Sequence, residues 1–235
     1  MEIIVYKAED RGHANHDWLD TYHSFSFASY YNPDLIGFGA LRVINDDAIA
    51  AGKGFGKHPH ENMEIITIPL SWALKHQDNI GGWGIIWSND VQVMSAGTGI
   101  IHSEFNASDT EEVRLFQIWI EPSQWGATPR YDQKTFPESG RVNQFQLLVS
   151  PDGREGSLMI HQNAFISRVV LDAGTSLEYE LIDETNVVYV MVVEWSGSIE
   201  SQDLGRRDAL SVIGIPSISL QATSDLDLLI LEIPM

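Results

Sequence analysis

The sequence predicts an all-β protein. Short β-branched or aromatic runs recur along the whole chain, and Gly, Asn and Asp punctuate them. No stretch carries the 3.6-residue apolar period of a long amphipathic helix. Many short strands at near-regular spacing indicate a sandwich or a barrel.

The first half holds four clear strand runs, at residues 41–44, 64–68, 91–94 and 115–120. In the last of these, Leu115, Gln117 and Trp119 share one face, and Phe116, Ile118 and Ile120 share the other. The stretch His16-Asp17-Trp18-Leu19 reads as the opening of a short helix, with Asp17 as its cap. The second half repeats the pattern at residues 144–149, 165–171, 187–193 and 228–233. Turns at Pro151-Asp152-Gly153, Asp172-Ala173-Gly174 and Ser196-Gly197 separate these runs. A more polar stretch near residues 128–141 carries Pro129, Pro137 and Gly140. It sets the expected boundary between a domain of residues 1–128 and one of residues 129–235.

Composition narrows the function classes. A chain of 235 residues fits one large β domain or two smaller ones. A hydrophobic fraction of 43% is ample for a packed core. Lys and Arg total 14 against 33 Asp and Glu, a formal charge of −19. Such a polyanion disfavours direct binding to nucleic acid or to an anionic membrane. Only Arg206-Arg207 forms a basic cluster. The lack of Cys excludes disulfides, thiolate catalysis and Cys-ligated zinc or iron–sulfur sites. The opening residues lack a basic segment followed by a long apolar one, and no run approaches the roughly 18 apolar residues of a membrane helix. A soluble, cytoplasmic protein is the expectation.

Two short motifs carry the chemistry, His58-Pro59-His60 and His102-Ser103-Glu104. Residues i and i+2 of a strand point to one face. Two such strands side by side bring three imidazoles and one carboxylate to a point. That set suits one divalent first-row metal and leaves room for water or substrate. Glycines precede each motif, at Gly52 and at Gly97-Thr98-Gly99, where tight turns or close backbone approach would be needed. Strand parity puts Glu64 on the same face as His58 and His60 if no bulge intervenes, which suits a supporting or proton-handling role; the alternative is a buried carboxylate held by backbone donors. Asn106 reads as a turn cap, and His13, His16 and His23 as surface or structural residues. Phe38, Phe55 and Phe105 either line a slot for a flat substrate or fill the barrel core. The second half has a single histidine, His161.

The pattern of Gly52, His58, His60 and Glu64, followed by Gly99, His102 and Asn106, resembles the cupin superfamily. Further matches are His23-Ser24-Phe25-Ser26-Phe27, Gly37-Phe38-Gly39, Gly54-Phe55-Gly56, Ser95-Ala96-Gly97-Thr98-Gly99, Gln117-Ile118-Trp119 and Pro129-Arg130-Tyr131. With them the chain resembles the pirin family over nearly its whole length. The resemblance implies a bicupin of two jelly-roll-like β-barrel domains packed together. It also implies one metal, in the N-terminal barrel, held by His58, His60, His102 and Glu104. The implied activity is that of a quercetin 2,3-dioxygenase: an aromatic substrate and dioxygen, iron first among Fe, Ni, Mn, Co, Cu and Zn, and Glu104 accepting a substrate proton. The alternative is a non-enzymatic, metal-dependent regulator that binds a partner protein. A cupin isomerase or metal hydrolase would use the same ligands. Two barrels packed on each other favour a monomer, with the second shielding the site. One departure stands out: Ser71-Trp72 replaces the usual Glu-Gly, which implies a different hairpin there. The turn Ser88-Asn89-Asp90 replaces Pro-Gly-Asp with comparable turn chemistry.

Overall fold

A computed structural model describes residues 1–235. Its strands, in chain order, are β1 (Glu2–Tyr6), β2 (Gly12–Asn15), β3 (Leu19–His23), β4 (Leu41–Ile49), β5 (Gly54–His60), β6 (Glu64–Ser71), β7 (Ala73–Asp78), β8 (Trp83–Trp87), β9 (Asp90–Ser95) and β10 (Ile100–Asn106). They continue as β11 (Val113–Ile120), β12 (Arg130–Thr135), β13 (Gln146–Ser150), β14 (Leu158–Met159), β15 (Phe165–Leu171), β16 (Ser176–Glu180), β17 (Val187–Ile199), β18 (Gln202–Leu204), β19 (Ala209–Ile213) and β20 (Ser217–Ile233). Helix is confined to three single turns of 3-10 geometry, and no helix is long and apolar enough to cross a membrane.

The chain forms two units. One comprises residues 12–136 with the short segment 158–162; the other comprises residues 1–11, 137–157 and 163–235. The expected cut between residues 128 and 129 differs from this at both ends. Strand β1 pairs antiparallel with β19, Glu2 opposite Ile213, so the N-terminal strand folds with the second unit. Strand β12 pairs with β9, Arg130 opposite Ser95, and stays with the first. Backbone hydrogen bonding decides both cases. A polar linker composition does not register a strand that pairs with a partner some two hundred residues away.

In the first unit a seven-stranded sheet runs β12-β9-β6-β11-β4-β3-β2, and a four-stranded sheet runs β5-β10-β7-β8. Antiparallel alternation sorts the side chains. On β11, Phe116, Ile118 and Ile120 are buried on one face, and Leu115 and Gln117 on the other. Leu19, Ile49, Leu74, Ile86, Val113 and Leu115 form one apolar cluster; Ile65, Met94, Ala96 and Ile100 form a second. In the second unit, β1-β19-β17-β20-β15-β13 form one sheet, with β16 on β20 and β18 on β17. Its core is built from Val, Leu and Ile of these strands together with Tyr179.

No helix forms at His16–Leu19. Asp17 adopts φ 65 in the connection between β2 and β3, and the His16 amide donates to the Leu19 carbonyl at 2.9 Å. A hairpin turn therefore takes the place of the expected helical cap. At the β6–β7 turn, Trp72 occupies the left-handed region at φ 55 and stays half exposed. The indole stands where glycine would sit without strain, so the substitution is absorbed as local backbone strain of about 1–2 kcal/mol. The β8–β9 turn behaves as expected: Asn89 takes φ 75, and the Trp87 amide donates to Asp90 Oδ2 at 2.9 Å.

The pairing of β5 with β10 needs a close backbone approach at its start. Phe105 lies opposite Gly54, and a Cβ at Gly54 would run into the backbone of Glu104 and Phe105. Gly54→Ala should therefore lower stability by about 1–3 kcal/mol, the usual range for overpacking. Urea unfolding checks this, and an unchanged midpoint would show that the two strands can separate freely here.

Candidate metal centre

The site is built on the antiparallel pair β5–β10. His102 lies directly opposite His58, and Ile100 lies opposite His60. The register shifts between His102 and Glu104, where two residues of β5 lie opposite one of β10, so one extra residue of β5 is taken up there. Alternation on β10 buries His102 and Glu104 on one face and exposes Ile101 and Phe105 on the other. The three imidazoles converge. Ring centroids are 4.3 Å apart for His58 and His102, 4.9 Å for His58 and His60, and 5.0 Å for His60 and His102. One donor atom from each lies within 4.8 Å of the others. Glu104 falls in an adjoining triple, with His102 and His76, of the same closeness.

His60 and His102 are set up as neutral donors. Burial, then the neighbouring His102 and His58, lowers the His60 pKa to about 4. Burial, then His58 and His76, lowers that of His102 to about 3. His58 Nδ1 lies 2.7 Å from the Gly56 carbonyl, which can only accept, so Nδ1 carries the proton and Nε2 keeps its lone pair. Buried His102 Nε2 has no hydrogen-bond partner. A buried ring nitrogen left without a partner is costly unless something else fills that role. A metal cation fits, and the donor set of imidazole nitrogen with carboxylate oxygen suits divalent first-row ions.

Side chains absent from the motifs hold Glu104. Gln117 Nε2 donates to Oε2 at 2.5 Å, and Gln92 Nε2 donates to Oε1 at 3.3 Å. The Thr67 hydroxyl approaches Oε1 at 3.4 Å. Gln117 is itself fixed, because Trp119 Nε1 donates to its Oε1 at 3.1 Å. The Trp119 ring also stands edge-on to His60, with centroids 4.9 Å apart. Their common signal in the sequence is a polar residue at a core-facing strand position.

Glu64 does not join the imidazoles. It accepts from Ser95 Oγ at 2.6 Å, and its Oε1 lies 3.4 Å from His161 Nδ1. Burial raises its pKa. Strand parity does not carry from His60 to Glu64, because β5 ends at His60 and the chain turns through Asn62 at φ 46 before β6 begins in the other sheet. The Ser95 hydroxyl and the backbone of His161 both donate to this carboxylate. Asn106 does cap a turn, donating to the carbonyls of Ile49 and Glu111 and accepting from the Ser108 amide.

A cavity of about 630 Å³ opens beside His58, His60 and Glu104. Trp18, Phe27, Phe55 and Trp119 give it aromatic walls. Of the three phenylalanines considered for a slot, only Phe55 lines it. Phe38 is buried elsewhere, and Phe105 is on the exposed face of β10. A polar row completes the wall: Thr21 and His23 from β3, facing Asp47 and Asn45 from β4. His23 Nδ1 lies 2.8 Å from Asn45 Oδ1, so His23 is hydrogen-bonded and also borders the cavity, as does His16. Only His13, paired with Asp20 on the surface, stays outside. Along β4, Leu41, Val43, Asn45, Asp47 and Ile49 share one buried face. Two polar residues in that alternating row are the available signal for Asn45 and Asp47.

The pirin family model matches residues 5–120, and the model of the quercetinase C-terminal cupin domain matches residues 147–233. A quercetin 2,3-dioxygenase of Escherichia coli (strain K12) is 45% identical over 232 residues, covering 99% of each chain. The chain belongs to the pirin family. A pirin-like protein of Caulobacter vibrioides is 40% identical over 222 residues, 94% of this chain and 95% of that relative. The crystal structure of the bacterial pirin YhhW from Escherichia coli in complex with nickel(II) has a TM-score of 0.93 at 45% identity and covers 99% of both chains. The pirin architecture of two cupin domains is thus shared along the full length.

Asp47 makes a testable electrostatic prediction. Burial, with added repulsion from Asp46 and Glu104, pushes its carboxyl up to about 7. An unfolded aspartate titrates near 3.9, so only the unfolded state releases this proton as pH rises from about 4 to about 7. The folded state therefore loses stability across that window and levels off above it. In metal-free protein, urea unfolding at pH 5 and pH 7.5 should show a smaller decline for Asp47→Asn than for the wild type. Equal declines would mean that Asp47 is already ionised when buried.

Proposed function

We propose that the chain binds one divalent first-row metal through His58, His60, His102 and Glu104 and opens the ring of a flavonol such as quercetin with dioxygen. The observation that carries this reading is the convergence of three imidazoles, with a buried carboxylate beside them, at one wall of an aromatic-lined cavity. The full-length relatives named quercetin 2,3-dioxygenase support it, as does the nickel(II) complex of the Escherichia coli pirin. The donor set does not single out iron from nickel, manganese, cobalt, copper or zinc.

When bound, the metal supplies Lewis acidity that lowers the proton affinity of an enol or phenol oxygen. The remaining work falls to the chain. Trp18, Phe55 and Trp119 offer flat apolar surface to a polyphenol ring, and the cavity volume lies in the range typical of small-molecule sites. The polar row of Thr21, His23, Asn45 and Asp47 offers donors and acceptors to ring hydroxyls. Glu104 borders the same cavity and is the group proposed to take the substrate proton. Its hold on Gln117 and Gln92 keeps the carboxylate oriented through that transfer.

Protein purified with its native metal should contain about one metal ion per chain, given a single set of ligands. It should consume quercetin in air, followed as loss of flavonol absorbance, and metal-stripped protein should not. His58→Ala and His102→Ala should each abolish both metal content and turnover. Metal content unchanged in those variants would reject the ligand set. Turnover surviving in stripped protein would reject the metal-dependent chemistry.

A further inference from the structure

Behind His102 lies a second pair of buried groups, His76 and Asp78 on β7. Both side chains are fully buried. The pairing of β10 with β7 sets His102 opposite Asp78 and Glu104 opposite His76. His76 Nδ1 faces His102 Nδ1 at 3.5 Å, and His76 Nε2 faces Asp78 Oδ2 at 3.1 Å. The other carboxylate oxygen of Asp78 accepts from the backbone amides of Ile80 at 2.9 Å and Gly82 at 2.7 Å. The Tyr131 ring stacks on His76, with centroids 4.4 Å apart and planes 19° apart. Gly84 lies opposite His76 on β8, and a side chain there would collide with Tyr131 and Gln133. His76 is therefore clamped from several sides.

Resting on the metal-binding reading above, we infer that Asp78 and His76 form a positioning relay that fixes His102 with its Nε2 lone pair aimed at the metal. With Asp78 ionised and His76 a neutral imidazole, the hydrogen-bond geometry sets the direction. An ionised carboxylate only accepts, so His76 Nε2 carries a proton and donates it to Asp78. In the neutral ring, His76 Nδ1 then holds a lone pair. His102 Nδ1 must donate into that lone pair, because two facing acceptors would repel. The lone pair of His102 is left on Nε2, the buried nitrogen with no other partner. Outer partners of this kind set the tautomer and basicity of a ligating imidazole.

Asp78→Asn tests the direction of the relay with almost no change in shape. The two backbone amides keep an oxygen toward themselves, which turns the new NH₂ toward His76 Nε2. His76 would then carry its proton on Nδ1, donor against donor with His102, and His102 would be driven to hold its own proton on Nε2. Co(II) affinity, measured by competition with a chromophoric chelator, should fall by about 10–100-fold in Asp78→Asn and in His76→Leu. The visible spectrum of bound Co(II) should shift in both. His76→Asn, whose side-chain oxygen sits near the original Nδ1, should lose less than His76→Leu. Circular dichroism confirms that each variant is folded. Wild-type affinity and spectrum in folded Asp78→Asn would overturn the relay while leaving the metal site intact. A wild-type protein that takes up no Co(II) would overturn the metal reading and the relay with it.

Discussion

The antiparallel pairing of β5 with β10, His58 opposite His102, is the constraint on which the rest of the site depends. A one-residue slip in this register would turn both motifs inside out, because side chains alternate faces with a period of two. The register shift after His102 is then a working part of the fold: it accommodates one extra residue of β5 while Glu104 stays on the buried face. Gly54 allows the strands to meet closely enough for this pairing.

Around that pairing the protein spends its buried polar groups on orientation. Glu104 is held by Gln117, Gln92 and Thr67, and Gln117 by Trp119. His58 is turned by the Gly56 carbonyl. Buried polar groups are costly when unsatisfied, and the unpartnered Nε2 of His102, beside the other two imidazoles, marks where a cation completes the set. The second unit uses its buried charges differently. Arg168 grips Asp227 through two nitrogens, at 3.0 and 2.6 Å. Glu232 is met by Tyr179 Oη and by the amides of Ile182 and Asp183. There the buried charges are met by protein partners.

Much of this was legible in the sequence because strand alternation is a short-range rule. His58-x-His60 and His102-x-Glu104 announce their faces as soon as the segments are read as strands, and the same reading yields an all-β fold. His76-x-Asp78 has the same form and was open to the same reading, but one histidine and one aspartate in a strand carry little weight until a neighbouring strand is seen to pair with them. Gln92, Gln117 and Thr67 look like ordinary strand residues; only burial on a shared interior face gives them a role. Parity misled for Glu64, because alternation does not survive the turn at Asn62. The partner of β1 could not be read, because β19 lies about two hundred residues away and pairing at that range leaves no local trace.

X-ray absorption spectroscopy of the metal-loaded protein tests the central claim most directly. The account predicts a nitrogen and oxygen coordination sphere, with the outer scattering pattern of three imidazoles and no sulfur. A coordination sphere without that imidazole scattering would contradict it.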